Sequence, residues 1–148
     1  MNPMQAVPED VSTAAKARLG RGGRVGLITD HRKNGCWLNA DADNALLSSL
    51  GSAIQVSGTG GAPLSQTALS ITAVPGITDG VSSVVVFCSG LVTGGTLFGR
   101  GSGGDGVMAY QRVQRGEVVA IADVSAFGYV LAEGDNQRLV ANLGVPLR

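Results

Sequence analysis

Apolar residues fall along this chain in short runs separated by glycine-rich and polar stretches, and the runs are of two kinds. Those at 24–29 (R-V-G-L-I-T), 83–88 (S-V-V-V-F-C) and 117–122 (E-V-V-A-I-A) are nearly continuous, as in strands buried on both faces. Stretches 67–74 and 107–113 instead alternate apolar and polar residues, the pattern of half-exposed strands. A short strand is predicted over 53–56, and a weaker one over 91–98, interrupted by Gly94-Gly95. Three segments read as helices. The first, 9–19, opens on Pro8-Glu9-Asp10 and stops at Gly20; the second, 41–50, closes at Gly51. The third, 135–143, gathers Leu139, Val140 and Leu143 on one side. Strand 24–29, helix 41–50 and strand 53–56 together predict a right-handed β-α-β crossover.

One arrangement of these elements occurs twice. R-G-G-R-V-G-L-I-T-D (Arg21 to Asp30) is followed by D-N-A-L-L-S-S-L-G (Asp43 to Gly51). R-G-E-V-V-A-I-A-D (Arg115 to Asp123) is followed by D-N-Q-R-L-V-A-N-L-G (Asp135 to Gly144). Each copy is a glycine turn, an apolar strand ending in aspartate, a loop and a helix that starts at Asp-Asn. In open α/β sheets ligands bind at the carboxyl ends of the strands, so Asp30 and Asp123 are expected on one rim.

Composition narrows the classes. At 148 residues the chain is long enough for one domain with a full hydrophobic core, preceded by a lead-in over 1–8. Eleven basic and eleven acidic residues cancel without a basic run, which argues against a nucleic-acid partner. Only 15% of residues are charged while 23 are glycine, favouring a buried sheet with many turns over a helical bundle. No apolar stretch reaches membrane-spanning length and Met1 to Asp10 has no signal-peptide pattern, so a soluble chain without membrane insertion is expected. Its compartment stays open. Cys36 and Cys88, with one histidine, form no zinc-ligand spacing; two separate thiols are expected, a Cys36–Cys88 disulfide requiring an oxidising compartment. No cofactor and no metal site are expected.

Asp30-His31 is the sharpest chemical pair, since an aspartate can orient a histidine; Asp123 and Ser125 hold the equivalent place in the second copy. Asp30, His31, Asp123 and Ser125 are therefore the candidate ligand-binding residues. The bland alternative has the aspartates bonding turn amides, with His31 solvated. Asp43-Asn44 and Asp135-Asn136 read as helix caps, and Asn142 has no assigned role. Cys88, followed by Ser89-Gly90, lies where a nucleophile elbow would, but no helix follows; it reads as a buried structural cysteine, and Cys36 beside Trp37 as loop packing. The segment 99–106, with five glycines, lacks the G-K-[S/T] ending of a phosphate loop and reads as a mobile loop carrying Arg100.

The ordered series G-G-R-V-G-L-I-T-D-H, N-A-L-L-S-S-L-G, P-G-I-T-D-G-V-S-S-V, G-E-V-V-A-I-A-D-V-S-A-F and G-D-N-Q-R-L-V-A-N-L resembles the class I glutamine amidotransferase-like, flavodoxin-like domains. The nearest subgroup is the non-catalytic one of gliding-motility, ABC-transport auxiliary and intraflagellar-transport proteins. The resemblance spans roughly 8–143. It implies a three-layer α/β domain over 9–148, with a mostly parallel core and an antiparallel middle segment. Catalytic members carry a nucleophilic cysteine in the turn where this chain has Thr29, Asp30 and His31, so their chemistry is not implied. Members also carry one or two β-α units ahead of the first helix found here, which implies an incomplete, shortened or partner-completed domain. The function expected is a non-catalytic binding or scaffold domain, with a protein partner or a homo-oligomer both open. The alternative is a small-molecule hydrolase or metal-binding enzyme using Asp30, His31 and Asp123.

Overall fold

The computed structural model describes residues 6–30, 40–57 and 66–144. Helix α1 (Glu9–Gly20) begins after Pro8, carries Glu9 and Asp10 in its first turn and Arg18 in its last, and so suits the helix dipole at both ends. Gly22, at φ +82°, then turns the chain into strand β1 (Arg24–Ile28). Helix α2 (Ala40–Ser49) leads to β2 (Gln55–Ser57), and β3 (Gln66–Ile71) and β4 (Ser83–Phe87) follow. Strands β5 (Leu91–Thr93) and β6 (Thr96–Arg100) flank Gly94-Gly95, both at positive φ. A side chain at Gly94 would run into the Ala53 carbonyl, so only glycine lets the chain leave one sheet for the other here. Strands β7 (Gly106–Val113) and β8 (Gly116–Ile121), a single 3-10 turn (Ser125–Phe127) and helix α3 (Asn136–Gly144) complete the described chain.

Six strands form one sheet in the order β1-β8-β7-β6-β3-β4, while β2 and β5 form a separate antiparallel ribbon. Among the described residues of the large sheet, only the β1–β8 pairing is parallel, with Arg24 opposite Glu117 and Ile28 opposite Ile121. The others are antiparallel. The flavodoxin-like, mostly parallel three-layer sheet implied by the resemblance is thus not the architecture: this is a mixed, curled half-barrel, with three α-helices among the described residues. The reason lies in the connections. Two residues, Gln114 and Arg115, join β7 to β8, and a loop within 101–105 joins β6 to β7; links this short permit only antiparallel neighbours. The β-α-β crossover is not formed either, because α2 delivers the chain to the ribbon and not back to the sheet.

Strand β8 is buried along its whole length, with alternate residues feeding two cores. Val118, Ala120 and Ala122 join Leu19 of α1, Leu47 of α2 and ribbon residues Val56 and Val92. Val119 and Ile121 join Val84, Val86, Phe98, Met108 and Leu139 of α3 on the other side. Strand β1, by contrast, is an edge strand. Val25 and Leu27 pack against the first core, whereas Gly26 is exposed and Ile28 is 46% exposed, so burial on both faces is not realised. Among the described residues no helix is long and apolar enough to cross a membrane.

Candidate functional site

The curl brings the end of β4 onto the end of β8, although three strands separate them in the sheet order. Asp123, just past β8, is fully buried. Its Oδ2 accepts the Phe87 N–H at 2.7 Å and its Oδ1 accepts the Ser125 N–H at 2.6 Å. The Ser125 hydroxyl donates to the Phe87 carbonyl at 3.4 Å. Burial pushes the Asp123 carboxyl above the ordinary carboxylate range, against the pull of the Phe87 and Ser125 amides and the Ser125 hydroxyl; the nearby charge of Asp30 adds to the rise.

The two aspartates are neighbours because β1 and β8 are parallel and in register: Thr29 donates its N–H to the Ile121 carbonyl at 2.9 Å, and Asp30 follows at the same level as Asp123. Thr29, 7% exposed, gives its hydroxyl to Asp43 Oδ2 at 2.7 Å. Burial raises the Asp43 carboxyl too, opposed by that hydroxyl. Gly90 closes the group: its N–H meets the Ala122 carbonyl at 2.7 Å, and a side chain there would come within 3.0 Å of the Ser57 carbonyl and 3.4 Å of the Asp30 carbonyl. Cys88 is buried, at φ +64°, and β5 follows it in place of the helix an elbow needs. Ser89 is fully buried, and its Oγ has no hydrogen-bond partner among the described residues. His31, Cys36 and Trp37 lie outside the described residues, so Asp30, Asp123 and Ser125 are the predicted site residues whose positions are known. Among the described residues no group of three or more histidine, cysteine, aspartate or glutamate side chains could hold a metal ion. The loop expected over 99–106 is shorter than that, since Gly99 and Arg100 end β6 and Gly106 starts β7; across the turn between them Arg100 donates to the Gly104 carbonyl at 3.0 Å.

Asp123 is one of a row. The outward backbone groups of edge strand β4 are met one after another by side chains from the segment that follows β8. Asp135 Oδ2 accepts the Ser82 N–H at 2.7 Å, the Ser82 hydroxyl at 2.8 Å and the Ser83 N–H at 3.0 Å, while its own N–H donates to the Ser83 carbonyl at 2.8 Å. These donors hold the exposed Asp135 carboxyl below its ordinary range. Asn136, 1% exposed, treats Val85 as a strand partner would. It accepts the Val85 N–H at 2.8 Å and donates to the Val85 carbonyl at 2.7 Å, with a further bond to the Val130 carbonyl at 2.8 Å. Asp123 and Ser125 finish the row at Phe87.

The same device recurs in the first copy of the repeat, where Asn44 accepts the Val56 N–H at 2.8 Å and donates to the Val56 carbonyl at 3.0 Å. Both Asp-Asn pairs thus differ from the helix caps expected of them: their side chains reach strands, not the helix's own amides. Asn142, which the sequence left without a role, donates to the Ile77 and Asp79 carbonyls at 3.0 and 2.9 Å. Its own carbonyl receives Arg24 Nη1 at 2.8 Å, and Arg24 forms a buried ion pair with Glu117 at 3.0 Å.

No protein-family profile matches the chain, and no curated protein matches it in sequence. Among solved structures it is similar to the exo-beta-1,4-mannosidase Op5Man5 from Opitutaceae bacterium strain TAV5, with a TM-score of 0.50 at 12% identity. The match covers 97% of this chain and 24% of that one, so the chain spans about a quarter of the length of that enzyme. At this identity the likeness concerns the fold alone. Since the strands are mostly antiparallel, the flavodoxin-like fold is overturned, and no comparison supports an amidotransferase-like family or a pseudoenzyme derived from it.

Proposed function

We propose that this chain is a non-catalytic binding or scaffold domain, which engages another polypeptide through strand β1. The observation that carries this reading is the contrast between the two edges of the large sheet. At β4, side chains meet the outward groups of Ser83, Val85 and Phe87. At β1, the ladder to β8 uses the odd-numbered residues, since Gly23 O accepts the Glu117 N–H and Thr29 N–H reaches Ile121 O. Arg24, Gly26 and Ile28 therefore point their backbone groups away from the sheet, and no described residue pairs with them. Arg24 bears this out in its exposure: its side chain is only 5% exposed, so what solvent reaches is largely backbone. A bare apolar edge free of proline and lysine is a template for strand addition.

The rim offers less to catalysis than the sequence suggests. Both oxygens of Asp123 are committed to backbone amides, and the side chain is fully buried. The test is a panel of chromogenic esters, amides and glycosides, read for wild type, Asp30→Asn and Asp123→Asn. No turnover by any of the three is expected. Turnover by wild type that Asp30→Asn abolishes, with thermal stability unchanged, would overturn the reading.

A further inference from the structure

We infer that the segment added at β1 is an acidic stretch of another polypeptide, whose carboxylates are taken by Arg18, Arg21 and Arg115 at the amino end of the strand; this rests on the binding reading above. The three arginines come together because the turn before β1 packs on the β7–β8 hairpin. A side chain at Gly22 would lie 3.5 Å from the Arg115 carbonyl, and one at Gly116 would run into the Gly23 carbonyl and come within 3.0 Å of Leu19. Gly23 leaves its own side-chain place open, and Arg18 fills it: a Cβ there would collide with the Arg18 guanidinium. That planar head group therefore lies against the residue that precedes the edge strand.

The three cations are uncompensated. Arg18, Arg21 and Arg115 are exposed, and none makes an ion pair or a side-chain hydrogen bond with a described residue. At this end Glu117 is buried and bound to Arg24, whose guanidinium is further committed to the Asn142 and Gly76 carbonyls. Glu9 and Asp10 stand at the far end of α1, and Asp30 and Asp123 at the far ends of β1 and β8. The helix dipole explains a cation at Arg18, in the last turn of α1, but not at Arg21 or Arg115. Along the chain the same bias holds: between Val11 and Ala40 the basic residues are Lys16, Arg18, Arg21, Arg24, Arg32 and Lys33, and the acidic one is Asp30.

These charges say what covers the edge. An extended segment lying along β1 takes the outward backbone groups of Arg24, Gly26 and Ile28, and its end passes Gly23, against which Arg18 lies. A guanidinium binds a carboxylate through two parallel N–H bonds, so a glutamate or aspartate at that end is held in place as well as attracted. Beside Gly26 and the half-exposed Ile28 the segment is apolar. A nucleic acid fits less well. It offers no strand-like ladder of donors and acceptors, and Asp30 and Asp43 toward the other end of β1 would repel a long polyanion.

The experiment is fluorescence anisotropy of the full chain with a labelled peptide that carries glutamates at both ends of a valine-threonine centre, at low salt. The comparison peptide has lysine in place of glutamate. Wild type is expected to bind the acidic peptide about tenfold more tightly than the basic one, or better. Arg18→Gln/Arg21→Gln/Arg115→Gln is expected to lose about that factor with an unchanged circular dichroism spectrum, and Arg21→Gln alone part of it. The control Arg138→Gln, on α3, is expected to bind like wild type. The amide NMR signals of Gly26 and Ile28 are expected to shift on adding the acidic peptide. Equal binding of the two peptides, binding indifferent to the triple change, or unmoved Gly26 and Ile28 signals overturns the inference. So does tighter binding of single-stranded DNA or phosphatidylserine vesicles than of the acidic peptide. The turnover panel is independent of this result: without turnover, failure here refutes the acidic partner and not the binding reading, whereas turnover refutes the binding reading whatever the peptide does.

Discussion

Replacing Asn136 by alanine removes three hydrogen bonds at once, to the Val85 N–H, the Val85 carbonyl and the Val130 carbonyl. A net hydrogen bond contributes about 1 kcal/mol, and an abandoned buried group costs about 1–3 kcal/mol. Asn136 is 1% exposed, so water reaches the Val130 carbonyl poorly, while Val85 lies at a half-buried edge that water can partly rehydrate. The expected loss is about 3–4 kcal/mol, which for a domain of this size lowers Tm by roughly 10 °C. Asn44→Ala removes two bonds in a less buried place, and about 1–2 kcal/mol is expected. Asn136→Asp is the sharper probe: at neutral pH it would face two carbonyls, 2.7 and 2.8 Å from the present Nδ2, with a carboxylate oxygen. It should be less stable than Asn136→Ala at pH 7 and recover part of the loss on acidification. Urea unfolding followed by circular dichroism measures all three, with the m-value as a check on two-state behaviour. A loss below about 1 kcal/mol for Asn136→Ala, or an equal loss for Asn44→Ala, would refute the claim that Asn136 seals the β4 edge.

Asp43 has a raised folded pKa, so its contribution to stability is fully present below the ordinary carboxylate value of 3.8 and is lost as pH rises through the folded value. Asp43→Asn keeps an acceptor for Thr29 and should match or exceed wild type in Tm at pH 7, the advantage vanishing below pH 3.8; a clear destabilisation at pH 7 contradicts this. Arg24→Met leaves the buried Glu117 carboxylate without its cation and should cost about 3–5 kcal/mol. Adding Glu117→Leu should restore most of that, less the lost bonds to the Asn142 and Gly76 carbonyls, and a double-mutant cycle with no coupling would refute the pairing. Ser89→Ala removes a buried hydroxyl without a described partner and should leave stability within about 0.5 kcal/mol of wild type or raise it; a loss above about 1 kcal/mol would show that the hydroxyl is bonded.

Much of the element content was legible in the sequence. Strands 24–29, 83–88, 107–113 and 117–122 and the three helices lie where hydrophobic spacing and end signals put them, within a residue or two. Pairing was not legible, because a continuous apolar run does not say whether its neighbours are parallel. The link Val113-Gln114-Arg115-Gly116 is short enough for a hairpin, but its middle residues are not the usual Asn-Gly, and the positive φ of Gln114 (+55°) is not a preference that glutamine announces. The continuous apolar run V-V-V-F predicts a strand buried on both faces. It is an edge strand whose Val84 and Val86 are buried and whose outward backbone is met by Asn136, 51 residues away at Val85. Spacing along the chain gives no sign of such a contact. The repeat, however, was visible, and its Asp-Asn pairs turned out to matter for strands and not for helix ends.

The most direct measurement is residue-resolved amide hydrogen exchange on the full chain in dilute solution. Val85 and Phe87, whose N–H groups are held by Asn136 and Asp123, should be strongly protected. Gly26 and Ile28, whose N–H groups no described residue accepts, should exchange rapidly. Protection of Gly26 and Ile28 as strong as that of Val85 and Phe87 would contradict an open β1 edge beside a sealed β4 edge.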